Sequence, residues 1–479
     1  MQQSTLFQLL RSLDKKEMRQ FAAFVQSSFF NKHADVIKLV AIITPFAPAF
    51  SAKQLDRKTL FAKLFAKEKF SQKKLDYVFS YTLQLLERYF TYVEFEEEHF
   101  LQNIFLMRYL RQKSLYKQYS KIQQKATLFL ENDTFTDNEH YYARFLFAKE
   151  ATDFYNQRYK HEIDDNIQLK SDNLDIYYFS EKLKDACEML ARIQVLKTDY
   201  RLDFIPEIID YLTKNYAQFK DYPAIMVYFK VYQLLWFQEK NYFFELKQLI
   251  EKHITCFKED EQRSIFVFAQ NYCIKQVNKG DSAFLQELFI IYQQLLANGL
   301  LYENQQLSEW QYKNIVAVGL RLKEFVWTKQ FIESQLAFLT ADSAANAYDF
   351  NIASYYYSIR NYDEALQHLV NVEFTDIRYN LGAKALLLRI YYDLNESDAL
   401  FALFESFKKY LTRNHLISQP KYQRHYNLVK FAQQAYKLKL EKAFVSTANF
   451  VQEKQKLQHL LESEDVSNAD WLLEKVEDL

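Results

Sequence analysis

The sequence predicts an all-α fold, an α–α superhelix of stacked helical hairpins behind an N-terminal helical domain. Three observations predict it. The 479 residues include only 4 glycines and 5 prolines, where average usage gives about 34 and about 24. Glycine supplies the positive φ of tight turns and proline punctuates loops. A chain this poor in both lacks the turns that sandwiches, barrels and doubly wound α/β folds require. Apolar residues also recur at helical spacing along most of the length. Finally, Phe331, Ala365 and Ala399 stand 34 residues apart.

The elements follow in order. Leu6, Leu9, Leu10 and Leu13 share a helix face, and Phe21, Phe24 and Val25 continue at the same spacing, so helix is expected over 4–30 until the run Ser27 to Asn31 interrupts it. A second helix is expected over 34–44, stopped by Pro45, with a loop between Pro45 and Pro48. Helices are expected over 53–67 and 72–95, the latter with Leu75, Val78, Phe79, Leu83, Leu86 and Tyr89 on one face. From 100 to 200 the pattern predicts four amphipathic helices in two hairpins, with polar breaks at 131–138 and 170–175. Pro206 and Pro223 each suit the first position of a helix. The expected organisation is an N-terminal helical domain (1–100), helical hairpins (101–200), a repeat array (201–460) and an acidic capping helix or tail (461–479).

The 34-residue period also relates Gly319, Ala353 and Leu387, and Ile332, Leu366 and Leu400. The stretch Asn351-Ile-Ala-Ser-Tyr-Tyr-Tyr-Ser-Ile-Arg-Asn-Tyr-Asp-Glu-Ala365-Leu reads as a first helix, a polar turn and the opening of a second helix. It resembles the tetratricopeptide repeat, whose helix–turn–helix unit has this period. Lys279-Gly280-Asp281 and Lys240-Asn241-Tyr242 look like the same turn in earlier units. The strict period covers 312–412. The resemblance implies a concave face lined by the first helix of each pair. On that face it places Lys323, Phe350, Ser354, Tyr357, Lys384 and Tyr391 as partner-groove positions.

Composition narrows the function classes. The formal net charge is zero, so no global field recruits nucleic acid or an anionic membrane. Aromatics make up 17%, with 36 Tyr and 43 Phe, and are expected to pack between helices. Cys187, Cys256 and Cys273 form no disulfide framework and read as buried thiols in a reducing cytosol. The start Met1-Gln-Gln-Ser-Thr-Leu-Phe lacks the pattern of a signal peptide. The longest apolar run, Leu39 to Phe50, is shorter than the roughly 20 residues of a membrane span. A cytoplasmic protein is expected.

No motif carries chemistry. The glycines at 280, 299, 319 and 382 are too far apart for a phosphate loop or dinucleotide fingerprint. No His-Glu-x-x-His, Cys-x-x-Cys or Gly-x-Ser-x-Gly occurs. Glu96-Glu-Glu-His99 and Asp137-Asn-Glu-His140 read as solvated charges, Glu364 and His368 as a surface pair, and His415 and His425 as loop residues around Pro420. The expectation is therefore no catalytic residue, metal or cofactor.

Three features concern partners. Residues 53–74 carry Lys53, Arg57, Lys58, Lys63, Lys67, Lys69, Lys73 and Lys74 against Asp56 and Glu68. Lys113, Lys117, Lys121 and Lys125 stand four apart, a stripe on a helix that suits a phosphate backbone. The tail from Leu461 to Leu479 is acidic. Ser467 and Asn468 can cap a last helix that presents Trp471, Leu472, Val476 and Leu479. The leading expectation is a non-enzymatic scaffold binding a protein or peptide on the concave solenoid face. The alternative is a nucleic-acid-associated regulator with a basic N-terminal helical reader and a helical sensor array.

Overall fold

The structure, a computed structural model, describes residues 4–50, 55–159, 163–196, 198–372, 377–444 and 446–479. Among them are 24 α-helices and one two-stranded β-hairpin, so the fold is all-α. The chain divides into two compact units, Met1–Lys182 with Ala217–Ile225, and Leu183–Tyr216 with Met226–Leu479.

In the first unit, α1 (Thr5–Leu10), α2 (Lys15–Gln26), α3 (Ala34–Ile43), α4 (Arg57–Leu64) and α5 (Gln72–Glu97) enclose one core that includes Phe7, Phe21, Leu39, Leu60, Leu75 and Leu86. Asp14 opens α2 with a capping box closed by Glu17, which satisfies amides that the first turn cannot. A second cluster, around Met107, Tyr119 and Phe154, joins α6 (His99–Gln112), α7 (Tyr116–Asn132) and α8 (Asn138–Arg158). Its stacked Tyr119 and Phe154 rings lie 4.0 Å apart. Beside them the Glu150 carboxylate, 2% exposed, accepts from Arg111 Nε at 2.6 Å and Nη2 at 3.1 Å. A buried charge persists only with such pairing.

The break expected at 170–175 does not exist. α9 (Asn166–Leu196) runs through it. The polar residues there satisfy one another along the helix: Gln168 donates to Asp172 at 2.7 Å and Asn173 donates to the Leu169 carbonyl at 2.6 Å. Polar composition marked a helix face, not a loop.

The remaining helices are α10 (Ile205–Lys214), α11 (Tyr216–Phe219), α12 (Pro223–Phe237), α13 (Lys240–His253), α14 (Glu259–Asn278) and α15 (Ala283–Ala297). The hairpin of β1 (Tyr302–Glu303) and β2 (Gln306–Leu307) follows, then α16 (Glu309–Arg321), α17 (Phe325–Gln335), α18 (Ala341–Ser358), α19 (Tyr362–Asn371), α20 (Ile377–Leu394) and α21 (Ser397–Arg413). The last three are α22 (Gln419–Glu441), α23 (Thr447–Ser463) and α24 (Ala469–Glu477). Pro206 and Pro223 both open helices, as their fixed φ and missing amide favour. His425 lies within α22 rather than in a loop, because Pro420 starts that helix.

One turn joins the hairpins. Gly280, Lys323, Arg360 and Asn395 take φ of 92°, 62°, 62° and 57°. In each, the following amide reaches back five residues: Asp281 to Gln276, Glu324 to Gly319, Asn361 to Tyr356 and Glu396 to Tyr391, at 2.9–3.0 Å. The turn residue's own amide reaches back three. This is the Schellman closure, which satisfies carbonyls orphaned by the helix end. Ser114, φ 58°, closes α6 in the first unit the same way. Gly299, φ 69°, closes α15 likewise, so two of these six turns use glycine and scarcity of glycine did not remove tight helix turns.

The turns correct the period. Lys323 follows Gly280 by 43 residues, Arg360 follows Lys323 by 37 and Asn395 follows Arg360 by 35. Phe331, Ala365 and Ala399 therefore stand eight, five and four residues past their turns and are not equivalent. The equivalent positions, five past each turn, are Thr328, Ala365 and Leu400, and all three are fully buried. Gly319 sits directly against the Thr328 hydroxyl, where a Cβ would collide. Gln238, φ 58°, is the turn before α13, two residues earlier than the sequence placed it. Stacked helical hairpins are real; a regular 34-residue register is not.

Candidate partner groove

The first helices of successive hairpins, α16, α18, α20 and α22, pack each on the next. The layer bends sharply over α18. Tyr379 of α20 donates to Glu309 Oε2 of α16 at 3.3 Å, and a Cβ on Gly382 would lie 3.6 Å from Lys313 Nζ. Side chains of α16 and α20, two hairpins apart, thus touch across α18, which defines an inner face. There Lys313 Nζ lies 4.5 Å from the Phe350 ring centroid and 5.7 Å from that of Tyr379. Phe350 and Tyr379 meet edge to face at 5.6 Å. Gly382 lets Phe350 approach so closely that a Cβ would stand 2.8 Å from its ring. At the rim, the β-hairpin and the starts of α16 and α18 surround a cavity of about 940 Å³ lined by Glu303, Ser308, Trp310, Asp342 and Asn346 among others.

The titratable groups here feel burial. Lys384, whose ammonium lies 5.4 Å from the Tyr410 ring centroid, is pulled below its ordinary value by desolvation. The His425 imidazole is lowered by burial first, then by Arg424, Lys313 and Lys421, only partly offset by the Lys421 carbonyl. At neutral pH it is held uncharged.

The six groove positions fall into three groups. Lys323 occupies the turn after α16 and is exposed, away from the others' helices. Phe350, Ser354 and Tyr357 share a face of α18. Phe350 and Tyr357 are buried, and the Ser354 hydroxyl bonds its own helix at the Phe350 carbonyl, 2.9 Å away. Tyr357 donates to Asp393 at 2.7 Å and lies under the Arg389 guanidinium, 4.3 Å from its ring centroid. Burial pushes its phenol well up; Arg389 opposes and Asp393 adds to the rise. Lys384 and Tyr391, seven apart on α20, are half-buried.

The element that sequence reasoning treated as a cap covers this end of the groove. α24 packs on α22 and α23, burying Trp471, Leu472 and Val476, and Lys454 of α23 donates to the Glu477 carbonyl at 2.8 Å. The Trp471 ring meets that of Tyr392 edge to face at 5.4 Å. Lys475 pairs with Asp393 of α20 at 3.1 Å, and Asp470 with Arg321 at the end of α16 at 3.2 Å. Burial pulls the Lys475 ammonium down, but Asp393 and Glu474 more than reverse it and leave it raised. Asn468 precedes the helix in a left-handed conformation and makes no side-chain cap. The spacing of Trp471, Leu472 and Val476 could have found the buried face, but nothing local marks Arg321 or Asp393 as partners.

The lysine stripe is shorter than expected. Lys113 ends α6, and the left-handed Ser114 separates it from α7, so one helix carries Lys117, Lys121 and Lys125 only. These three are exposed and make no ion pair among the described residues. In the basic segment, Lys53 lies outside the described residues. Arg57 pairs with Asp76 and Lys74 with Glu68, each at 2.6 Å.

Asp137 and His140 are buried, not solvated, because Asp137 caps α8 and His140 bonds Asp133 at 2.9 Å. His368 bonds Asp349 of α18 at 2.8 Å. No group of three or more His, Cys, Asp or Glu placed to hold a metal occurs among the described residues. No helix among them is long and apolar enough to cross a membrane. Comparison with protein-family models, curated proteins and solved structures finds no match.

Proposed function

We propose that the chain is a non-enzymatic interaction scaffold whose second unit receives a protein or peptide on the inner face of its first helices. The observation that supports this most is the lining of that face. Lysine and aromatics meet over α16, α18 and α20, with Lys313 on Phe350 and Tyr379; Lys384 turns from that face toward Tyr410 of α21. Such a surface recognises carboxylates and rings together. Tyr357 is a poor probe of it, since truncating a buried, hydrogen-bonded tyrosine also destabilises the fold. Lys313→Glu and Trp310→Ser, both on α16, are the better pair. Affinity capture from the lysate of its own cell should lose the same species, at least tenfold, with both variants, while the melting temperature moves by only a few degrees. Unchanged capture removes this face. A second reading, an anionic polymer on α7, is supported by the exposure of Lys117, Lys121 and Lys125 without ion-pair partners among the described residues.

A further inference from the structure

α24 occupies its seat as a ligand would. It is nine residues long and has no side-chain cap. Helices this short are marginal in water by themselves, so packing holds it. Three apolar anchors are buried, and its two cross-helix ion pairs reach α16 and α20 rather than the neighbouring α23. Asp470 and Arg321 are 149 residues apart in the chain.

The seat is imperfectly filled. Arg389 Nε, Tyr392 Oη and Trp471 Nε1 are buried and make no hydrogen bond with any described protein group. The Trp471 ring centroid lies 5.8 Å from the Arg389 guanidinium carbon and 5.4 Å from the Tyr392 ring centroid. Buried donors left unpaired weaken an interface relative to its apolar area.

We propose that the seat of α24 is a binding site for an amphipathic helix of a partner protein, and that α24 holds the site until that helix replaces it. The partner helix carries a carboxylate for Arg321, an aromatic–leucine pair for the Trp471 and Leu472 pockets, and a cation for Asp393 one turn on, next to a small aliphatic residue. It also offers an acceptor to Arg389 and Tyr392. The proposal rests on the reading of this unit as partner-binding. It is read by different residues from Lys313 and Trp310, so either test can fail alone.

The test uses the full chain and a fluorescein-labelled peptide of residues 464–479. Asp470→Arg with Lys475→Glu reverses both ion pairs of the resident helix and keeps its apolar anchors. The labelled peptide should bind this variant at least tenfold more tightly than the wild-type chain. Adding Arg321→Asp and Asp393→Lys restores the resident pairs and should abolish the gain. A labelled peptide carrying Trp471→Ala should not bind. If the reversed variant melts early, amide exchange on the wild-type chain decides: residues 469–477 should exchange at least a hundredfold faster than the centre of α22. Equal exchange in the two helices, equal binding to all chains, or binding by the Trp471→Ala peptide overturns the proposal. A dimer that appears on sedimentation and dissolves on adding peptide overturns it in favour of a second copy as occupant.

Discussion

Single residues differ most in what surrounds them. Cys187 is fully enclosed and its thiol donates to the Tyr228 carbonyl at 3.4 Å; burial, then Glu188, raises it well above its ordinary value. Burial, then Glu287, pushes the Cys273 thiol up to about 12, with Lys247 opposing. Cys256 is only half-buried. Thiolate, not thiol, attacks a disulfide reagent. A colorimetric thiol assay on the native chain at pH 8 should therefore register one fast group, lost in Cys256→Ser, and all three only after denaturation. Three fast groups would mean that the two buried thiols open freely. The expectation of three buried thiols holds for Cys187 and Cys273 but not for Cys256, because only the surroundings rank them. The same is true of Asp137 and His140, whose burial no local pattern announced.

At the scale of elements, most helices were legible because each shows its apolar face at 3.6-residue spacing. The turns between them were not. Lysine, arginine, serine and asparagine sit where glycine is usual, each paying roughly 1–2 kcal/mol for a left-handed backbone, and stacking of the hairpins must offset that cost. Small residues matter instead where helices cross. Gly319 touches the Thr328 hydroxyl, itself tied to the Glu324 carbonyl at 2.7 Å. Gly319→Ala should lower stability by about 1–3 kcal/mol, the usual cost of overpacking, measured by urea unfolding. Thr328→Ala in the same chain should recover part of the loss. Additive losses would show that the two residues do not compete for one space.

For the whole molecule, a net charge of zero leaves only local charge to attract a polyanion. Each phosphate neutralised contributes a slope of about −0.9 in log K against log salt. Duplex binding through Lys117, Lys121 and Lys125 should thus give a slope near −3 in a gel-shift salt series. It should vanish when all three become glutamate. No shift at about 50 mM salt removes this reading. The sequence by itself determined the fold class, the hairpin architecture, the exclusion of glycine-dependent nucleotide motifs and the apolar stripe of the last helix. Those properties are local: periodicity reports which face of a helix seeks cover, and four scattered glycines cannot form a glycine-rich phosphate loop. Only the tertiary structure decided the true repeat spacing, the bend that joins α16 to α20, and the docking of α24 onto Tyr392, Asp393 and Arg321. The physical reason is that a helix face does not specify what covers it. That choice is made by shape and charge between segments far apart in the chain, here between the last helix and residues of α16 and α20.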